Sequence, residues 1–124
     1  MIKRIRLAGI WVNDQEKARD FYVNKCGFSI QSDVTMPDGY RWLEVVPPGA
    51  ETAVAVVKTS PEQVAAVGSS TNIIFTTDDI EATYTQMKAN VVTFVEAPTL
   101  QPWGNKQASF ADPDGNTFLL VDRE

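Results

Sequence analysis

The chain is predicted to be an α+β protein of two tandem βαβββ modules. These would form paired curved mixed sheets around a cavity, with the helices on the outside. Three observations predict it. First, the order of apolar runs and amphipathic segments, β-α-β-β-β, occurs twice within 124 residues. Second, the halves match at an offset of about 65: Asp14 falls on Asp79, Pro37 on Pro102, Gly39 on Gly104, Arg41 on Lys106, Pro48 on Pro113 and Thr52 on Thr117. Turn residues are what a duplication keeps, because backbone geometry depends on them. Third, the chain closes on a hairpin around Asp112-Pro113-Asp114-Gly115, with the Asp, Pro and Gly placement of a type I turn.

In order along the chain, Ile5 to Val12 is an apolar, β-rich run and is expected to be a strand. Asn13-Asp14-Gln15-Glu16 offers a polar cap with a Glu three residues after Asn13, and Ala18, Phe21 and Tyr22 then recur at helical spacing. This predicts a helix from about Gln15 to Lys25, ended by Gly27. Phe28 to Met36, Arg41 to Val46 and Ala53 to Lys58 read as strands, separated by Pro37-Asp38-Gly39 and by Pro47-Pro48-Gly49-Ala50-Glu51. The first module spans 1–59 and a connector spans 60–70, where Pro61 opens a short helical turn and Gly68-Ser69-Ser70 breaks it. In the second module, 71–124, Thr71 to Thr76 is a strand and Asp78-Asp79-Ile80-Glu81 repeats the cap. Ile80, Tyr84 and Met87 mark a buried helical stripe. Val91 to Val95 is a strand, Pro102-Trp103-Gly104 a turn, and the hairpin ends the module.

Composition narrows the function. A hydrophobic content of 44% and a charged content of 22% are ordinary for a globular protein. A net charge of −5 and a pI near 4.7 argue against nucleic acid and anionic membranes as partners, since both demand clustered basic residues. Lys3, Arg4 and Arg6 are expected to be a solvated edge. The single cysteine, Cys26, cannot form an intramolecular disulfide, so a cytoplasmic location is expected. With no histidine in the chain to activate it, Cys26 is read as structural.

The pattern resembles the vicinal-oxygen-chelate superfamily, which holds glyoxalase I, extradiol dioxygenases, fosfomycin-resistance enzymes and bleomycin-binding proteins. The residues that carry the resemblance are Val12-Asn13-Asp14 with Lys17-Ala18 and Phe21-Tyr22, then Gly27-Phe28. In the second half they are Thr77-Asp78-Asp79-Ile80 with Ala82 and Tyr84, Pro102-Trp103-Gly104, and Phe110 through Asn116. Val91 stands where members often carry a Gly. The resemblance implies metal ligands, His or Glu, at two positions in each half. The first pair corresponds to Leu7 and Asn72, and the other to Val54 or Val56 and Leu119. Leucine and valine have no lone pairs and a neutral amide is a poor transition-metal ligand, so no metal and no cofactor are expected.

If Leu7 and Leu119 face the cavity, then Gly9, Trp11 and Val121 share their faces. The alternation turns Trp42, Glu44, Gln107 and Ser109 to the same side, with Trp103 near the mouth. Each also has a structural reading: the tryptophans as core or loop staple, and Glu44 as a solvated strand residue. An inward Glu44 is expected to have a raised pKa and to serve as a base or a cation site. Asp112 and Asp114 are read as turn-forming.

The leading expectation is a metal-free small-molecule binding protein of the glyoxalase/bleomycin-resistance type. Its ligand, apolar or aromatic, would contact Leu7, Trp42, Glu44, Val56, Asn72, Trp103, Gln107, Ser109 and Leu119. The alternative is a glyoxalase-like lyase or isomerase with an unconventional metal site or Glu44 as its base. A third reading is a partner-binding dimer without a ligand. A homodimer is expected, with no nucleic-acid or membrane partner.

Overall fold

The computed structural model describes residues 1–122. The chain divides into two compact units, one ending at Val67 and one beginning at Gly68, inside the stretch read as the connector. In the first unit the elements are β1 (Leu7–Val12), α1 (Gln15–Asp20) continued by a π-helical turn (Phe21–Lys25), β2 (Ser29–Thr35), β3 (Arg41–Val46) and β4 (Ala53–Lys58). After a 3₁₀ turn (Val64–Ala66), the second unit contains β5 (Ser70–Thr77), α2 (Ile80–Ala89), β6 (Thr93–Leu100), β7 (Lys106–Ala111) and β8 (Thr117–Asp122). Each unit is a four-stranded mixed sheet, ordered β1-β4-β3-β2 and β5-β8-β7-β6, whose first and last strands pair in parallel. The fold is the expected pair of βαβββ modules.

Helix starts depend on one aspartate each. Asp14 and Asp79 sit in extended backbone and accept from the backbone N–H of Lys17 and Ala82, both at 3.0 Å. The cap is therefore one residue later than the Asn13…Glu16 and Asp78…Glu81 pattern suggested. Glu16 and Glu81 do other work. Each reaches a cation at the start of its unit's third strand, Glu16 to Arg41 and Glu81 to Lys106, both at 3.0 Å. The duplication thus keeps an ion pair as well as its turns.

The helices end differently, and the difference locates one residue. Val92 N–H donates to Met87 O and Val91 N–H to Lys88 O, which is a Schellman arrangement with Val91 at its left-handed position, φ 66. Gly27, φ 79, holds that place after the first helix. There the bonds are longer: Cys26 N–H reaches Phe21 O, and Phe28 N–H reaches Tyr22 O. The π turn accommodates one extra residue in the first helix, so Gly27 aligns with Val91 and the repeat offset drops by one at this point. The strand expected to begin at Val91 begins at Thr93, because Val91 and Val92 close the second helix.

The turns repeat closely. In both Met36–Tyr40 and Gln101–Asn105 the first residue's N–H donates to the last residue's carbonyl, and a positive-φ glycine, Gly39 or Gly104, donates back to the first. The closing turn lies where it was expected and is closed by Gly115 N–H, which donates to Asp112 O. The Asp112 carboxylate accepts from the N–H groups of Asp114 and Asn116 and from the Asn116 side chain, all at 2.9 Å. Asn116, 1% exposed, in turn accepts from Gly68 N–H. A Cβ on Gly68 would lie 2.9 Å from Asp114 O, so the backbone can pass there only as glycine. Asp112 is architecture.

Each core lies between its sheet and its helix. In the first unit Ile10, Val12, Leu43, Val45, Val54 and Val56 pack with Ala18, Phe21 and Tyr22, all buried. In the second, Phe110 stacks on Phe118 and Phe75, and Phe94 meets Tyr84 edge-on.

Val91 carries a β-branched side chain in a left-handed conformation while remaining 76% exposed. Replacing it with glycine removes the strain and little packing. Val91→Gly is expected to stabilise the protein by about 1 kcal/mol, read as a higher urea midpoint with an unchanged slope. A lower midpoint would show that the strain is not there.

Candidate functional site

Strand pairing decides which side chains escape the helix-covered core. In the first unit the register places Leu7, Gly9 and Trp11 beside Ala53, Ala55 and Val57, and Glu44 beside Ala55. These residues, with Trp42, share the face opposite the helix. In the second unit Ile74, Thr76, Leu119, Val121, Ser109 and Gln107 occupy the corresponding face.

On the first of these faces a polar cluster forms around Glu44, which is 4% exposed. Trp42 Nε1 donates to its Oε2 at 2.6 Å and Gln31 Nε2 to its Oε1 at 2.8 Å. Arg6 Nη1 stands 3.6 Å from Oε2. Gln31 reaches the carboxylate because β2 is bulged: Ile30 pairs with Val45 and Ser32 with Glu44, leaving Gln31 as the extra residue. A bulge re-aims a side chain in this way. The same bulge occurs in the second unit, where Phe94 pairs with Phe110 and Glu96 with Ser109. There Val95 is the extra residue.

These donors set the charge of Glu44. The Trp42 hydrogen bond, aided by Gln31 and Arg6, outweighs the burial penalty and holds the carboxyl below its usual value of 4.5. Both sequence-level alternatives are corrected. Glu44 is not a solvated strand residue, and its pKa is lowered instead of raised, because indole and amide donors surround it where apolar walls were expected. A carboxylate so stabilised is a weak base. Across the same strand, Arg41 hydrogen-bonds Asp33 through Nε and Nη2, each at 2.8 Å, and holds the Asp33 carboxyl low. That pair lies on the helix side, where Gln15 bridges the Arg41 and Val56 carbonyls at 2.9 Å each.

The second unit offers a concavity of about 290 Å³ lined by Ser70, Asn72, Ile73, Ile74, Ser109 and Leu119, with Thr117 and Phe118. Two residues more on β5 than on β8 between the Ser70/Thr117 and Ile74/Leu119 pairs break the ladder and make this hollow. Asn72, at φ 58, lies at the break. Thr71 closes it from behind, donating to Thr117 O and accepting from Ile73 N–H.

The structure therefore brings Trp42 and Glu44 together, with Leu7 on their face, and separately gathers Asn72, Ser109 and Leu119. Gln107 shares the Ser109 face. Trp103 stands 68% exposed at its loop tip. Val56 departs from expectation: it is 0% exposed on the helix side of its sheet, as is Val54 at 3%. By register, the residue corresponding to Leu119 is Ala55, since each lies opposite the matching position of the third strand, Glu44 or Ser109. The loop before β4 is one residue longer than the turn before β8, and this concealed the correspondence. Gln31 and Arg6 were missed. A bulge has no clear signature in sequence, and Arg6 was grouped with its solvated neighbours.

The positions expected to hold a metal carry Leu7, Ala55, Asn72 and Leu119. Three have no donor atom and one is a neutral amide, so this set does not fit a divalent transition metal. Among the described residues no three His, Cys, Asp or Glu converge on one point.

Residues 4–120 match the family model described as Glyoxalase/Bleomycin resistance protein/Dioxygenase superfamily. The chain is 40% identical to the uncharacterized protein YetH of Bacillus subtilis (strain 168), covering 97% of this chain and 98% of that one. Among solved structures, a member of the Glyoxalase/bleomycin resistance protein/dioxygenase superfamily from Sphaerobacter thermophilus DSM 20745 superposes with a TM-score of 0.88 at 41% identity, over 98% of both chains. TnmS3, an antibiotic binding protein from Streptomyces sp. CB03234, superposes with a TM-score of 0.86 at 35% identity, over 99% of this chain and 98% of that one. No described helix is long and apolar enough to cross a membrane.

Because folding lowers the pKa of Glu44, its contribution to stability is complete above the unfolded value and is lost as pH falls through the folded one. Urea midpoints are expected to fall on acidification below about pH 4.5, and to fall less steeply in Glu44→Gln. An identical acid limb in both proteins would show that Glu44 is not stabilised as a carboxylate.

Proposed function

The chain belongs to the Glyoxalase/Bleomycin resistance protein/Dioxygenase superfamily, and on that basis we propose that it is a small-molecule binding protein that holds an apolar or aromatic ligand without a metal. The observation that carries this reading is the donor-poor set Leu7, Ala55, Asn72 and Leu119 at the positions where the fold would hold a metal. On the same free faces stand Trp42, half-buried and fixed by Glu44, and the Asn72–Ser109–Leu119 hollow. Both suit a planar apolar group. At about 290 Å³ the hollow is at the small end for ligand pockets and has room for a ring system of one or two rings. That TnmS3 is an antibiotic binding protein supports a binding role over a catalytic one.

A homodimer is part of this proposal, supported by the edge strands β1, β2, β5 and β6, whose outer sides are unpaired within their own sheets. A lyase that uses Glu44 as its base is not favoured. The hydrogen bonds that lower its pKa weaken it as a proton acceptor near neutrality.

Calorimetric titration of the full chain with a panel of planar aromatics, followed in parallel by tryptophan emission, is expected to show saturable binding unchanged by prior dialysis against EDTA. Trp42→Phe should weaken it several-fold, as loss of an aromatic contact with a polar handle does. Absence of saturable binding across the panel, or stoichiometric metal accompanied by turnover, would overturn the proposal.

A further inference from the structure

The duplicated sheet contains its own control for the Glu44 cluster. The bulge and the strand register recur in the second unit, but there Val95 replaces Gln31, Gln107 replaces Trp42 and Ser109 replaces Glu44. The backbone therefore forms without any charge at this position. A buried carboxylate carries a desolvation cost that its partners must offset, and the second unit avoids it. The first unit keeps a buried anion that its fold does not require.

The partners of that anion are unequal. Trp42 and Gln31 make short hydrogen bonds to it. Arg6 is at 3.6 Å, beyond good hydrogen-bond length, and its side chain is 59% exposed against 6% for Glu44. Arg6 precedes β1 and its backbone is anchored by Ala53 N–H, which donates to Arg6 O at 3.0 Å, so only its side chain is loosely placed. The cluster thus presents a fixed, oriented carboxylate, an indole beside it, and one loosely held cation from solvent.

We propose that Glu44 is the recognition point for a cationic group, an ammonium or amidinium, on an aromatic ligand, and that Arg6 is the resident cation which this ligand displaces. The exchange conserves charge, since one ion pair replaces another. The incoming group gains a closer contact with Oε2 than Arg6 makes, and Trp42 Nε1 already fixes the orientation of that oxygen. The ligand's aromatic body then lies on the free face of the sheet. This inference rests on the binding role proposed above and narrows its ligand class.

The test uses a matched pair of probes, 2-naphthylethylamine as the ammonium and 2-naphthylethanol as its neutral counterpart, titrated calorimetrically into the full chain. The amine is expected to bind about tenfold more tightly or better, the usual advantage of a charge-assisted hydrogen bond. Glu44→Gln, which can still accept from Trp42, should bring the two affinities together. Arg6→Ala should tighten the amine and leave the alcohol unchanged. Equal affinities in the unaltered protein would overturn the cation inference while leaving the aromatic-binding role standing. Failure of both probes to bind would overturn both. Should Glu44→Gln not fold, Arg6→Ala decides alone: an amine affinity that does not rise rules out displacement.

Discussion

Alternate side chains of a strand point to opposite faces, and in each unit the helix covers one of those faces. Most of what distinguishes this chain follows from that division. The covered faces are filled with Val, Ile, Leu and Phe at almost no exposure, and they tolerate no polar group without a partner. The opposite faces carry no helix, and Trp42, Glu44, Asn72 and Ser109 stand there, with Glu44 buried and held by its donors. Irregularities of one or two residues then decide what those faces present. The bulge in β2 sends Gln31 to Glu44, and the break in β5 opens the hollow beside Asn72. In both cases the site is made by a departure from regular pairing.

Much of the architecture was legible because it depends on local chemistry. Strands β3 and β4 have the bounds their apolar runs suggested, and the four turns containing Pro and Gly fall where those residues stand. The caps shifted by one residue because two capping residues stand side by side in both, Asn13-Asp14 and Asp78-Asp79, and either can open a helix. The site was less legible, for a reason of arithmetic. A strand reverses its faces with every residue inserted, so the loop between β3 and β4, one residue longer than the turn between β7 and β8, was enough to move the expected position from Ala55 to its neighbours Val54 and Val56. The charge state of Glu44 was hidden for another reason. Its sequence neighbours Leu43 and Val45 suggested apolar surroundings, but both point away, and the groups that matter come from β2, from two residues back along β3, and from the segment before β1.

Comparing the two units separates scaffold from site within one molecule. Features present twice belong to the scaffold: the aspartate caps, the strand-to-helix ion pairs, the five-residue loops and the bulges. Features present once are free to differ: the Trp42–Glu44–Gln31 cluster in the first unit, the widened β5–β8 ladder and the Asp112–Asn116–Gly68 network in the second. A fold that is built twice needs its binding chemistry only once.

The parallel pairing of β1 with β4 has a consequence for the order of assembly. Strands β2, β3 and β4 form a local meander, closed by short turns. By contrast, β1 pairs Leu7 with Ala53 across the whole first unit, and closing so long a loop is the slow, entropically costly part of building such a sheet. Arg6 immediately precedes that strand. The carboxylate, the indole and the bulge can therefore be in place before the arginine arrives, and the ion pair closes with the last strand to dock. The arginine that faces Glu44 is thus tied to the strand whose pairing closes the longest loop of its unit.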